Sequence, residues 1–208
     1  MRFFGVLIAL ALPATAFAQA PPPTGVVDEP IGRFAVDLQG SLANFPQDTS
    51  IATSLGTIEG NLPARGLGAR IAATFYPFRL GPVTFGLGGA LALARGSQEA
   101  EISGERFTTT LLSFAPQLSL NFGRKGGWSY LSAGISSSKL TIAREGAEGG
   151  PTAPTVDYGG GARWFLRERL AFSFDVRIFN IAAADAEPGI AARFRTRMFV
   201  ISAGVSVR

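Results

Sequence analysis

From position 34 onward, large apolar residues alternate one by one with small or polar ones, which puts successive side chains on opposite faces of an extended chain. In the first segment Phe34, Val36, Leu38 and Leu42 share one face, and Asp37, Gln39 and Ser41 the other. The second, near 67–75, sets Leu67, Ala69, Ile71, Ala73 and Phe75 against Gly68, Arg70, Ala72 and Thr74. In the third, Val83, Phe85, Leu87, Leu91 and Leu93 face away from Thr84, Gly86, Gly88, Ala90 and Ala92. A fourth pairs Leu112, Phe114, Leu118, Leu120 and Phe122 with Ser113, Ala115, Gln117, Ser119 and Asn121, with Pro116 predicting a local irregularity. The fifth, near 128–137, sets Leu131, Ala133 and Ile135 against Ser132, Gly134 and Ser136. Near 156–165, Tyr158, Ala162 and Trp164 alternate with Asp157, Gly159, Gly161 and Arg163. Two more segments follow, one carrying Leu170, Phe172, Phe174, Val176 and Ile178 against Ala171, Ser173, Asp175 and Arg177, and a last one running through Phe199, Ile201, Ala203, Val205 and Val207.

The connections between these strands alternate in length. Long ones are expected at 45–65, 95–108, 138–155 and 180–195, and short ones at 79–82, 123–127 and 166–169. An even number of strands with all short turns on one edge and all long loops on the other predicts an all-β fold over 31–208, an eight-stranded antiparallel up-and-down transmembrane β-barrel. Its apolar face is continuous enough for lipid. The other face, rich in Gly, Ala and Ser, could not form the core of a soluble sandwich. Phe75, Tyr76, Phe78, Phe122, Trp128, Tyr130, Trp164 and Phe165 cluster at the short-turn ends, where an interfacial girdle is expected.

The first residues change the compartment. Arg2, an apolar run from Phe3 to Leu12 and the small-x-small triplet Ala16-Phe17-Ala18 read as a secretory signal peptide over 1–18, with cleavage near Ala18 or Ala20. No Cys follows the apolar run, which argues against a lipoprotein. Pro21-Pro22-Pro23-Thr24-Gly25 then predicts a stiff Pro-rich periplasmic tail over 19–30. The 208 residues contain no Cys, so an exported fold is held by hydrogen bonds and packing rather than disulfides. Loss of Arg2 takes the net charge from +4 to +3, with basic groups at turns and strand ends rather than in a stripe. Nucleic acid is not an expected partner.

Over most of 34–208, and chiefly in Tyr158-Gly159-Gly160-Gly161-Ala162-Arg163-Trp164-Phe165 and in Leu170 through Arg177, the chain resembles the small bacterial outer-membrane β-barrel family of the OmpA and OmpX type. That resemblance implies a bacterial outer-membrane location, contact with outer-membrane lipid and lipopolysaccharide, insertion by the barrel-assembly machinery and a monomeric state.

Candidate chemistry is sparse. With no His and no Cys, the Ser-His arrangement of membrane hydrolases and the usual transition-metal sites cannot be built. A Ser-Lys variant would need Lys125 or Lys139 beside a barrel serine. Glu99, Glu101 and Glu105 read as a solvated acidic loop, and Gly66-Leu67-Gly68 and Gly86-Leu87-Gly88-Gly89 as strand glycines, since neither completes a nucleotide loop. No cofactor and no enzymatic activity are expected. The informative set is the inward-facing charges Asp37, Arg70, Asp157, Arg163, Asp175 and Arg177, with Gln39, Gln117 and Asn121. They are expected to pair as a polar plug. Arg163 with Asp175 is the first candidate pair, and Arg177 or Asp37 are the alternative partners. The functional expectation is a structural or surface-interaction barrel that presents its loops outside the cell; the alternative is a narrow, porin-like channel for ions or small solutes.

Overall fold

A computed structural model describes residues 29–208, apart from Glu145, Gly146, Glu148 and Gly189; the expected leader and residues 19–28 of the tail lie outside the described residues. Eight strands close into one antiparallel up-and-down barrel: β1 Phe34–Asn44, β2 Arg65–Leu80, β3 Val83–Glu99, β4 Arg106–Arg124, β5 Gly127–Arg144, β6 Thr152–Phe165, β7 Leu170–Ile181 and β8 Thr196–Val207. Each strand pairs with its chain neighbour, and β1 closes the ring on β8 through a ladder that includes Leu38 opposite Val205. The predicted parity holds along every strand, with Leu38, Ile71, Leu91, Phe114 and Leu131 outward and Asp37, Arg70, Ser113 and Ser132 buried within.

Two expectations, the strand ends and the aromatic girdle, are corrected, and the irregularity expected at Pro116 is joined by a second one in β2. The strands run further than the apolar alternation did. The second connection shrinks from 95–108 to 100–105 and the third from 138–155 to 145–151, because pairs such as Arg95 with Thr110 and Phe107 with Arg144 continue the ladder beyond the apolar belt. A register shift that was not expected lies in β2: Phe75 pairs with Leu87 and Phe78 with Phe85, so Tyr76 and Pro77 together oppose Gly86. Pro77 has no N–H to give the ladder, and a bulge absorbs it. At Pro116 the register is unchanged, but pairing with β5 lapses between Phe114–Ser137 and Gln117–Gly134. The aromatic girdle is also smaller than expected. Phe75, Phe78, Phe122 and Trp164 face outward, whereas Tyr76, Trp128 and Tyr130 are buried inside and Phe165 packs on Trp128. Strand parity sets this, since Trp128 and Tyr130 share the face of Ser132.

The interior is layered. At the short-turn end, Ile31, Ala35, Tyr76 and Trp128 make an aromatic stopper. The middle is polar. Above it, Phe45, Leu111, Leu140, Phe179, Ile181, Met198 and Val200 form an apolar layer inside the barrel. A second apolar cluster caps it, where Ile51 and Ala52 of helix α1 (Thr49–Ser54), Leu55 at its C-cap and Leu62, just after the 3-10 turn Glu59–Asn61, rest on Phe107, Ile142 and Ala191. Over this upper part the outward positions turn polar, as at Arg95, Ser97, Thr108 and Lys139. The code has inverted: below, apolar groups face lipid around a polar lumen, and above, polar groups face water around an apolar core.

If the upper layer is a packed core, Leu140→Ala should lower the unfolding free energy by about 2 to 5 kcal/mol. Urea titration in the presence of lipid vesicles measures it, and an unchanged midpoint would show that this layer is not load sharing.

Candidate functional site

The polar middle of the lumen brings all six predicted charges together, and every one is buried. Arg163 of β6 reaches across the barrel to Asp37 of β1, donating from Nε to Oδ1 at 2.8 Å and from Nη2 to Oδ2 at 2.5 Å, a two-pronged pair. Arg177 of β7 donates from Nη1 to Asp157 Oδ1 at 2.7 Å and from Nε and Nη2 to the two oxygens of Asp175 at 3.2 Å. Arg70 of β2 stands 3.9 Å from Asp175 and donates to Gln39 Oε1 at 3.0 Å. Gln39 in turn donates to Ser173, and Gln117 to Asp157. Three arginines thus meet three aspartates, and the cluster carries no net charge.

Two glycines make this possible. Gly161 of β6 lies in register between Tyr130 of β5 and Asp175 of β7, and the Tyr130 hydroxyl passes over it to donate to Asp175 Oδ2 at 2.7 Å. One turn of the pleat away, Gly159 lies between Ser132 and Arg177, and Arg177 Nη2 passes over it to donate to Ser132 Oγ at 2.8 Å. A Cβ at Gly161 would stand 2.7 Å from the Tyr130 hydroxyl, and one at Gly159 2.1 Å from the Val176 carbonyl oxygen. β6 is a saddle across which its neighbours touch. The Arg163 guanidinium also sits 4.4 Å from the centre of the Tyr130 ring and 5.7 Å from that of Trp128.

The first candidate pair is corrected: Arg163 binds Asp37, one of the two alternatives, and Asp175 belongs to Arg177 and Tyr130. Both Asp175 and Arg163 do face the lumen, but they lie at different heights, since Arg163 is in register with Ser173. Asn121 lies lower, donating to the Thr84 carbonyl and to Ser119. Parity alone marked Tyr76, Trp128 and Tyr130 as inward, and their size drew them to the girdle instead. Outside this cluster, Lys125 pairs with Glu29 in the β4–β5 turn and Lys139 faces outward, so neither stands beside a lumen serine. Glu105 pairs with Arg144 at 3.0 Å and Glu99 with Arg106 at 3.6 Å.

At the centre lies a space of about 10 Å³ lined by Arg70, Thr74, Gln117, Ser119, Tyr130, Ser132 and Arg163, with room for about one water.

No protein-family model matches the chain, and no curated protein matches it. Solved structures do. Neisserial surface protein A aligns over 84% of this chain and 96% of its own, at a TM-score of 0.55 and 20% identity. The attachment invasion locus protein Ail of Yersinia pestis, in complex with the heparin analogue sucrose octasulfate, aligns over 85% of this chain and 98% of its own, at a TM-score of 0.51 and 11% identity. The chain has the fold of the small bacterial outer-membrane β-barrels. At such identities the likeness reaches the backbone and stops there, so what this barrel does has to be argued from its own side chains.

The saddle and the cross-lumen pair give two tests of the cluster. Asp37→Ala leaves Arg163 buried without its counter-ion, a loss of about 3 to 5 kcal/mol at full burial. A urea midpoint in vesicles that does not move would remove the pair from the stability of the barrel. Gly161→Val should abolish the heat-modifiable folded band on gels, while Gly40→Val, whose Cβ would meet nothing closer than 3.9 Å, should retain it. Equal behaviour of the two would refute the saddle.

Proposed function

We propose that the protein is a plugged monomeric barrel of the bacterial outer membrane whose function is surface interaction through its loop platform, with no solute path and no catalytic step. The observation that carries this reading is the sequence of three seals along one lumen: the aromatic stopper, the charge-neutral ion cluster and the apolar layer beneath the loop cap. A channel needs a continuous wetted path with charges free to meet the solute. Here the charges are spent on one another.

The outer-membrane location is supported by the exposed apolar belt and by the fold. Lipid on that belt and the assembly machinery that inserts barrels are part of the proposal. Long connections on one edge and short turns on the other orient the loops outward, as in barrels of this construction.

The platform itself is built, not loose. Asp48 caps α1 by accepting from the Ser50 backbone N–H at 2.8 Å, and Ser50 holds its carboxyl below the usual 3.8. Because that folded value is lowered, the contribution of the cap is present above pH 3.8 and fades as the pH falls through the lowered value. Arg144 Nη1 holds Glu105 while its Nε and Nη2 donate to the Leu55 carbonyl at 3.2 and 2.5 Å, tying the first loop to the second. From this base three large apolar side chains stand out on three loops: Ile102 at 98% exposure, Phe194 at 71% and Ile58 at 66%. Glu59 follows Ile58 in the chain, Glu101 precedes Ile102, and exposed Arg195 follows Phe194, whose loop also carries Asp185 and Glu187. Apolar anchors among charged neighbours suit a protein partner that buries the anchors and meets the charges at its rim.

In a planar bilayer the purified protein should show no unitary conductance steps, and regular steps would favour the narrow channel. Because the chain has no native Cys, single probes are clean. Ile102→Cys should react with a membrane-impermeant maleimide on intact cells and Arg167→Cys should not. The reverse pattern would invert the topology.

A further inference from the structure

The two ends of the barrel wall differ in how far the apolar face runs. At the long-loop end it stops well below the loops, and the outward positions beyond it are polar, as at Arg95, Ser97 and Lys139. At the other end it runs into the turns themselves. Leu80 pairs with Val83 on the outward face of the β2–β3 hairpin, and Leu166, also exposed, opens the turn between β6 and β7. Two outward aromatic pairs lie just inside these leucines: Phe78 stacks on Phe85 with ring centres 4.6 Å apart, and Trp164 on Phe172 at 5.8 Å. Outward aromatic rings mark the boundary between hydrocarbon and headgroups. The turn residues that follow them therefore lie among the headgroups of the leaflet at that end, whereas the loops at the other end rise clear of it.

Charge follows the same division. The lumen cluster is neutral, and on the long-loop side carboxylates nearly match cations. The positive surplus stands at the short-turn rim: Arg79 at the first turn, Arg124 and Lys125 at the second, Arg167 and Arg169 at the third, and Arg33 and Arg208 beside the ends of β1 and β8. Among the described residues the side-chain carboxylates on this rim are Glu29 and Glu168, and Glu29 is taken by Lys125. Arg79, Arg167 and Arg169 are exposed and form no ion pair among the described residues. The rim is also tied together. Arg79 donates from Nε to the Gly81 carbonyl at 2.8 Å, which fixes its stem and leaves its terminal nitrogens for a ligand. Arg208 joins two turns, donating from Nε to the Glu168 carbonyl at 2.7 Å and from Nη1 to the Lys125 carbonyl, with its guanidinium 3.9 Å from the centre of the Phe165 ring.

Cations next to exposed leucines at headgroup depth select a molecule that is apolar and anionic within the same short reach. A guanidinium meets a phosphate through two parallel, charge-assisted hydrogen bonds. An acidic polymer in the water beyond would meet the cations and leave Leu80 and Leu166 bare. We propose that the short-turn rim is a binding surface for anionic glycerophospholipids of the leaflet it enters, with their phosphates on Arg79, Arg167 and Arg169 and their chains against Leu80, Leu166 and the two aromatic pairs. The surface determines which end of the barrel an anionic phospholipid leaflet holds. It rests on the membrane-spanning reading above, and not on the plug or the loop platform.

Trp164 is a native reporter, since it faces outward at this rim and the other tryptophan of the chain, Trp128, is buried in the lumen. The test places the full mature barrel in nanodiscs of phosphatidylcholine and phosphatidylglycerol in which one lipid or the other carries brominated chains, and quenching of Trp164 gives the relative affinity of the two at the rim. Phosphatidylglycerol should be favoured roughly fivefold. Arg79→Gln/Arg167→Gln/Arg169→Gln should abolish that preference, and Arg95→Gln/Lys139→Gln at the opposite end should leave it unchanged. Equal quenching by the two lipids overturns the proposal and leaves the membrane reading in place, whereas no quenching by either overturns both. A triple variant that keeps the native preference overturns the assignment to these arginines. If phosphatidylglycerol is not favoured, and fluorescent polyglutamate binds the native barrel but not the triple variant, the lipid surface is overturned in favour of an acidic polymer. Heat-modifiable migration checks that each variant is folded. Should the triple variant fail that check, Arg79→Gln and Arg167→Gln are measured singly; each should lower the preference, and no change in either overturns the proposal.

Discussion

A strand in lipid has no water to satisfy its backbone, so its N–H and C=O groups must all find partners in the chain, and the only arrangement of strands that leaves none over is a closed ring. The ladder between β1 and β8 is that closure, and the rest of the molecule answers to it. Eight strands enclose a space only a few side chains wide, so the lumen must be filled by the chain itself. In the polar middle, two large inward groups fit because a neighbour gives up its side chain entirely. Gly159 and Gly161 do so for Arg177 and Tyr130, and the crowding that a Cβ would cause at either is the physical measure of how tight the ring is.

Closure also decides which inward groups can be polar. Charges placed in so narrow a lumen lose most of their hydration, and each aspartate without an arginine would cost several kcal/mol. Three of each, joined by Gln39, Gln117, Ser132 and Tyr130, is therefore less an accumulation of favourable bonds than the least costly way to keep charge there at all. What such a cluster supplies is specificity of register. A slip of one residue in β1, β2, β6 or β7 would turn its charge into lipid and its large apolar residues into the lumen.

Most of the fold was legible because a barrel strand writes its environment in a period of two, and the six lumen charges were legible for the same reason. The pairing was not. Parity says that Arg163 and Asp175 share a face, but who meets whom depends on the stagger of the strands around the ring, which brings β6 against β1 across the lumen. The bulge at Tyr76 and Pro77 was signalled by a proline inside an apolar run, a cue overshadowed by the similar one at Pro116.

The strand ends were missed for a reason that bears on function. Above the apolar belt the alternation does not stop; it changes sign, with Leu111, Leu140 and Ile142 inward and Thr110, Lys139 and Thr141 outward. A reader looking for apolar residues on the lipid face sees the strand end there, although the hydrogen-bonded ladder runs on. The same eight strands thereby serve two solvents, lipid below and water above, with the interior composition switching at the boundary. The loops rise from a water-type core that is continuous with the barrel, so α1 is seated on Phe107 and Ile142 rather than floating on a rim. A seated platform keeps Ile58, Ile102 and Phe194 at fixed places despite their exposure, which lowers the ordering cost a partner must meet on binding. The layer that seals the lumen is thus also the foundation of the surface proposed to bind, and a barrel opened to conduct at that level would lose the support of its loops.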